Sequence, residues 1–126
     1  MSPPKTILVI EDEPALREAI KLKLEKAGIE VWTAASGEEG LSVLQKKIPN
    51  LVWLDLLLPG INGVEVLRAI KKDTKATTPK VVVVSVSSGE EKVREVLRLG
   101  ALDYIVKSNY SIDDIVKRAE HLLLQS

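Results

Sequence analysis

Cysteine is absent from the 126 residues. This excludes disulfides, thiolate catalysis and zinc held by thiolates, and it fits a reducing compartment, so a cytoplasmic location is expected. A net charge is also missing. Eighteen basic and 18 acidic residues cancel, so no global field recommends nucleic acid or an anionic membrane as partner. No apolar run approaches the roughly 20 residues of a membrane span. The opening "MSPPKTILVIEDE" has one lysine and a short apolar run that meets three acids, which is not a signal peptide. The lone histidine, His121, has apolar neighbours and no metal-binding partner nearby, so a packed or solvated role is expected. What remains is 45% hydrophobic and 29% charged, enough for one compact domain spanning residues 1–126.

Five short apolar runs punctuate the chain: Thr6 to Ile10, Glu30 to Ala34, Leu51 to Leu54, Val81 to Val84 and Asp103 to Val106. Each is too short for a helix, and mostly apolar runs indicate strands covered on both faces, as in a parallel sheet. Amphipathic segments separate them. Their apolar faces are read as Leu16, Ile20 and Leu24; Leu41 and Leu44; Val64, Leu67 and Ile70; Val93, Val96 and Leu97; and Ile112, Ile115, Ala119 and Leu122. Ser36 with Glu39, Ser88 with Glu91, and Ser111 with Asp114 match the capping box, in which a hydroxyl and an acid satisfy free N–H groups at a helix start. Pro14 suits a first helical turn, and Gly28 and Gly100 stand where helices should stop. The order is (βα) five times over, which gives an α/β/α three-layer sandwich. Trp32 and Trp53 are expected in the core, and "GEEKVREVLRLG" on a solvated helix face.

Ligands of open parallel sheets bind beyond the carboxyl ends of the strands. This chain places Glu11, Asp12 and Glu13 after the first strand, Asp55 after the third, Ser85 after the fourth and Lys107 after the fifth. Asp55 lies in "LVWLDLLL", a carboxylate among apolar residues. It is expected at the end of the central strand, outside the core. An isolated acid after a strand is most often a helix cap, which suits Glu13. Lys107 alone reads equally well as a structural counterion, and Ser85 alone as a hydroxyl bonded to backbone. Their convergence is what points to a site. Two carboxylates about 4 Å apart repel by roughly 4 kcal/mol at an effective dielectric near 20, so three in one pocket call for a cation or a raised pKa. Oxygen-only ligands suit Mg²⁺ before Zn²⁺. Lys107 and Ser85 offer a phosphoryl group a positive charge and a hydroxyl donor. The chemistry inferred is phosphoryl transfer to Asp55 as a carboxylate nucleophile.

"ILVIEDE", "LDLLLPGING", "VVVVSVS" and "GALDYIVKS", with Asp12, Asp55, Ser85 and Lys107 at intervals of 43, 30 and 22 residues, resemble the receiver domain of two-component response regulators over essentially the whole chain. The resemblance implies a flavodoxin-like fold with strand order 2-1-3-4-5. It also implies that Asp55 accepts a phosphoryl group from a histidine kinase, a phosphotransfer protein or a small acyl phosphate. Mg²⁺ would be held by Asp12, Asp55 and the Leu57 carbonyl, with Glu11 acting through water. Lys107 would pair with the phosphoryl group, Ser85 would swing to bond it, and Tyr104 would turn inward as the aromatic switch. The switching surface would be the fourth helix, fifth strand and fifth helix, meeting an effector protein or a second copy. The domain would be a stoichiometric acceptor that catalyses its own phosphorylation and dephosphorylation, and no turnover enzyme.

Other readings are a constitutive interaction module, which would be expected to lose Asp55, Lys107 or the acidic pair, and the receiver of a larger DNA-binding regulator. An aspartate-nucleophile phosphatase would carry a second Asp where Leu57 stands. Two positions depart from the family pattern. Ser108 stands where the family usually has proline in a cis peptide. A cis non-proline bond costs about 3–4 kcal/mol, so either that cost is met or the loop differs. Val86 replaces a residue that is usually small and is expected to narrow access to Asp55.

Overall fold

A computed structural model describes residues 3–72 and 78–125. Its strands are β1 (Thr6–Ile10), β2 (Glu30–Ala34), β3 (Leu51–Leu54), β4 (Lys80–Ser85) and β5 (Asp103–Val106). Its helices are α1 (Pro14–Lys26), α2 (Gly37–Lys46), α3 (Gly63–Lys72), α4 (Glu90–Arg98) and α5 (Ile112–Leu124), with a 3₁₀ turn at Lys107–Asn109. All pairings are parallel, in the order β2-β1-β3-β4-β5. β4 runs one residue further at each end than its valine run, because Lys80 pairs with Leu51 and Ser85 with Val106.

Side chains alternate across the sheet and divide the core in two. Ile7, Val9 and Trp53 face α1 and α5, packing with Ile20, Leu24, Ile115 and Leu122. Leu8, Ile10 and Leu54 face the other way, packing with Leu67, Ile70 and Val96. Fully burying one such aliphatic side chain stabilises by about 1.5–3 kcal/mol. Trp53 is a core residue as expected, whereas Trp32 is only half-buried. It lies on edge strand β2, with the Lys47 ammonium 4.0 Å from its ring centroid.

Local signals explain most element ends. Ser36 accepts from Glu39 N–H and Ser111 from Asp114 N–H, both at 3.1 Å. Ser88 caps nothing. Helix α4 starts one residue later, at an N-cap Gly89 without a side-chain bond, so Ser88 lies outside the capping position. Asn62 caps α3 instead, accepting from Glu65 N–H at 3.1 Å. Gly28 (φ +84) and Gly100 (φ +107) stop α1 and α4. In each stop the next residue bonds back to the helix, Ile29 N–H to Leu24 O and Ala101 N–H to Val96 O, which is the Schellman arrangement. The charged run is solvated as expected, and Leu97, read as part of its apolar face, is 44% exposed; only Val96 of α4 is buried.

The loop between β3 and α3 carries the site and is tied at both ends. Gly63 N–H donates to Leu56 O at 2.9 Å, and Ile61 N–H to Glu38 Oε2 at 3.3 Å. A Cβ on Gly63 would lie 2.4 Å from Asp55 O and 2.5 Å from Leu56 Cα, both backbone atoms that cannot swing aside. Gly63→Ala is therefore expected to destabilise by about 1–3 kcal/mol, as overpacking does. Gly89→Ser, with nothing near its Cβ, should be neutral or stabilising by a few tenths of a kcal/mol, about what a cap hydroxyl adds over glycine. Urea-unfolding midpoints of the two variants check this; equal midpoints would mean that the backbone at Gly63 yields.

Candidate functional site

The register of the sheet builds the site. β3 lies between β1 and β4, so Asp55 emerges between the loop after β1 and the end of β4. Asp55 N–H continues the ladder onto Ile10 O at 3.1 Å. Asp55 stands at the strand end as expected, but flanking loops leave it only 4% exposed. Each carboxylate oxygen has a donor: Leu57 N–H to Oδ1 at 3.1 Å, and Lys107 Nζ to Oδ2 at 3.1 Å.

Lys107 reaches Glu11 as well, with Nζ 2.7 Å from Oε1. Glu11 is 1% exposed and accepts from Glu13 N–H through its other oxygen at 3.2 Å. Burial pushes the Glu11 carboxyl above its ordinary range, and the bonds from Lys107 and Glu13 offset this only in part. For Lys107 burial alone would lower the pKa, but the bond to Glu11 and the charges of Asp55 and Glu11 outweigh it and hold the ammonium above its usual value. Asp12 is exposed beside them. Oxygens of Glu11, Asp12 and Asp55 all lie within 4.8 Å of one another. Three carboxylates against one ammonium leave a formal surplus of two negative charges. The donors are all hard oxygens, so the group fits a hard divalent cation.

The Lys107–Ser108 peptide is not cis; no described peptide bond is. The loop differs instead, opening as the 3₁₀ turn, and Lys107 still meets both acids. Ser85, fully buried, ends β4 beside Val106, the residue before Lys107. Its Oγ accepts from Ser87 N–H at 3.4 Å. Val86, which follows it, is 55% exposed. Tyr104 is half-buried against the α3–α4 side of the core, and its hydroxyl donates to Ser87 O at 2.5 Å. Burial raises its pKa. Leu57 presents its N–H to Asp55, and the residue is 57% exposed. Glu13 is the N-cap residue of α1 and makes no side-chain cap bond. His121, in α5, bonds Gln125 far from these groups in sequence.

One neighbour escaped the sequence reading. Arg17 Nη1 donates to Glu11 O at 2.9 Å and Asp12 O at 3.4 Å. A signal for it exists: a cation near a helix N-terminus opposes the helix dipole and needs another reason to be there.

Lys107→Ala would leave Glu11 and Asp55 buried without their counterion. A fully buried pair broken in this way costs about 3–5 kcal/mol. Lys107 keeps 18% of its side chain exposed, so about 2–3 kcal/mol is expected at neutral pH, partly recovered on adding Asp55→Asn. Urea denaturation of the single and double variants measures it; an unchanged midpoint in Lys107→Ala would assign the compensation to solvent.

Known proteins share this fold and sequence. The family model described as the response regulator receiver domain matches residues 7–120. The transcriptional regulatory protein AfsQ1 of Streptomyces coelicolor is 40% identical over 104 residues, covering 81% of this chain and 44% of that protein. The phosphate regulon regulator PhoB of Pseudomonas aeruginosa is 34% identical over 119 residues, 94% of this chain and 52% of that one. The chain thus spans about half the length of these relatives. Among solved structures, a CheY-like receiver domain protein from Methanospirillum hungatei superposes with TM-score 0.87 at 30% identity, covering 96% of this chain and 94% of that one. TrrA of Thermotoga maritima, solved in complex with Mg²⁺ and a beryllium fluoride, gives 0.80 at 35% identity, covering 94% and 98%. With the acids, the lysine and the 2-1-3-4-5 sheet in place, the chain belongs to the receiver domains of two-component response regulators.

Proposed function

We propose that this receiver domain is a phosphorylation-driven switch in which Asp55 accepts a phosphoryl group in a Mg²⁺-dependent reaction. The observation that carries the reading is the convergence of Glu11, Asp12, Asp55 and Lys107, with two negative charges in surplus. Asp12, Asp55 and the Leu57 carbonyl would hold Mg²⁺ directly and Glu11 through water. The ion, when bound, neutralises charge on the carboxylates and on the phosphoryl oxygens. Support for magnesium comes from the oxygen-only donor set and from the TrrA complex.

The rest is done by the chain. An Asp55 oxygen attacks phosphorus and forms a P–O bond. The donor bond breaks, P–N from a phosphohistidine of a sensor kinase or phosphotransfer protein, or P–O from an acyl phosphate, and its electron pair leaves with the donor. Leu57 N–H orients the attacking carboxylate. Lys107, already 3.1 Å from Oδ2, offsets charge on the transferred group, so catalysis is mainly positioning and electrostatics. The domain acts on itself and is no turnover enzyme. The phosphoryl group adds about −1.5 to −2 charge and strong acceptors. Ser85 Oγ then donates to it and draws on the β4–α4 loop. That loop contains Ser87, whose carbonyl holds the Tyr104 hydroxyl. The rearrangement reaches the α4-β5-α5 surface, where an effector protein or a second copy binds. Balanced charge favours a protein partner over direct contact with nucleic acid, and among the described residues no helix is long and apolar enough to cross a membrane.

Incubation with a small acyl phosphate and Mg²⁺ should add one phosphoryl group per chain by intact-mass spectrometry, and Asp55→Ala should add none. No adduct with any donor, or the same adduct in Asp55→Ala, would sink the reading. In metal-free protein Asp12→Asn should raise the melting temperature by relieving repulsion. Mg²⁺ should then raise it less than in the wild type, since binding to the native state stabilises in proportion to affinity. Identical Mg²⁺ shifts in the two proteins would remove Asp12 from the metal site.

A further inference from the structure

Arg17 sits at the fourth position of α1, half-buried, with one guanidinium nitrogen on the carbonyls of both Glu11 and Asp12. No ion pair within 4.0 Å involves it among the described residues, although Glu11 and Asp12 lie on the loop it touches and Asp55 lies beside it. Its charge is spent on backbone. That placement opposes the helix dipole and costs side-chain entropy.

The loop it holds has few other restraints. Glu11 N–H is anchored to Ala34 O at 3.0 Å, and the Glu11 carboxylate is tied to Lys107 and Glu13. Asp12 follows directly, exposed, and of its backbone only the carbonyl, bonded by Arg17, has a hydrogen-bond partner among the described residues. The two protons of Arg17 Nη1 hold fixed directions in the guanidinium plane, whereas the ammonium of lysine is a mobile point charge that a nearby carboxylate can capture.

We infer that Arg17 is a positioning residue for the metal site: by holding the Glu11 and Asp12 carbonyls it fixes the loop that aims the Asp12 carboxylate, without occupying a carboxylate oxygen that the cation needs. The inference rests on the Mg²⁺ reading above. Its effect passes through backbone to a metal ligand, the kind of outer support whose loss typically weakens metal affinity by about 10–100-fold.

Mg²⁺ titration of the unphosphorylated protein, followed by backbone amide NMR shifts of residues 11–13 and 55–57, reads affinity without any transfer reaction. Arg17→Ala is expected to weaken Mg²⁺ binding by roughly tenfold, with Arg17→Lys falling between it and the wild type. A merely structural role would lower the melting temperature equally with and without Mg²⁺. A positioning role lowers it more with Mg²⁺ present. Wild-type or tighter affinity in Arg17→Ala overturns the inference, since loss of a cation beside the site would by charge alone favour Mg²⁺; full recovery in Arg17→Lys overturns the part assigned to the guanidinium. Should Arg17→Ala fail to give a folded amide spectrum, Arg17→Gln carries the same comparison. Absence of any Mg²⁺ response in the wild type would instead bring down the metal reading, and the role of Arg17 with it. A wild-type response with an unchanged Arg17→Ala defeats the role of Arg17 alone.

Discussion

One ammonium group makes the carboxyl end of this sheet tenable. Glu11 and Asp55 are both nearly removed from water, and each would pay several kcal/mol to carry its charge there unpaired. Lys107 lies within 3.1 Å of both. It serves two acids at once and does not fully compensate Glu11, whose carboxyl is still held by burial above its ordinary range. The residual negative charge is what the proposed divalent cation would offset. The same charge explains why the loops are tied so closely. Three like charges separate unless backbone prevents it, and here the ladder bond of Asp55, the Glu11 anchor on Ala34 and the Arg17 grip all oppose that separation.

The sheet order brings these groups together. With β3 between β1 and β4, and β5 beyond β4, the acids of β1 and β3 are neighbours. The lysine follows β5, two strands from β3, and its extended side chain reaches both acids. Ser85 ends β4, the strand between β3 and β5, so in the proposed switch the hydroxyl and the ammonium would meet one phosphoryl group from different strands.

Much of this was legible in the residues. The apolar runs marked four strands to the residue, because buried parallel strands have little choice of composition, and the strand ends named the acids and the lysine. Periodicity identified the cores of α1, α3 and α5, whose inner faces are continuous. It misread α4, where Leu97 has the right spacing yet points to solvent: one apolar stripe does not say how tightly a helix is pulled down. The Ser88 box failed for a related reason, since its S-x-x-E spacing was right but the helix began one residue later. The burial of Asp55 and the dual pairing of Lys107 depend on where loops close over the strand ends, and local sequence does not encode that closure. Arg17 stayed hidden because its partners are carbonyls, which every residue has and no motif displays.

The light attachment of α4 has a further consequence. Its polar residues serve the fold very little: Glu90, Lys92, Arg94 and Glu95 make exposed pairs, worth about 0–1 kcal/mol each, while Val96 and the Schellman stop at Gly100 anchor the helix. Substitution on that surface costs the domain almost no stability, whereas substitution around Lys107 costs a great deal. The molecule is therefore divided into a part that cannot drift and a part that can. Side chains on α4 can thus change with little effect on the fold, while those around Lys107 cannot.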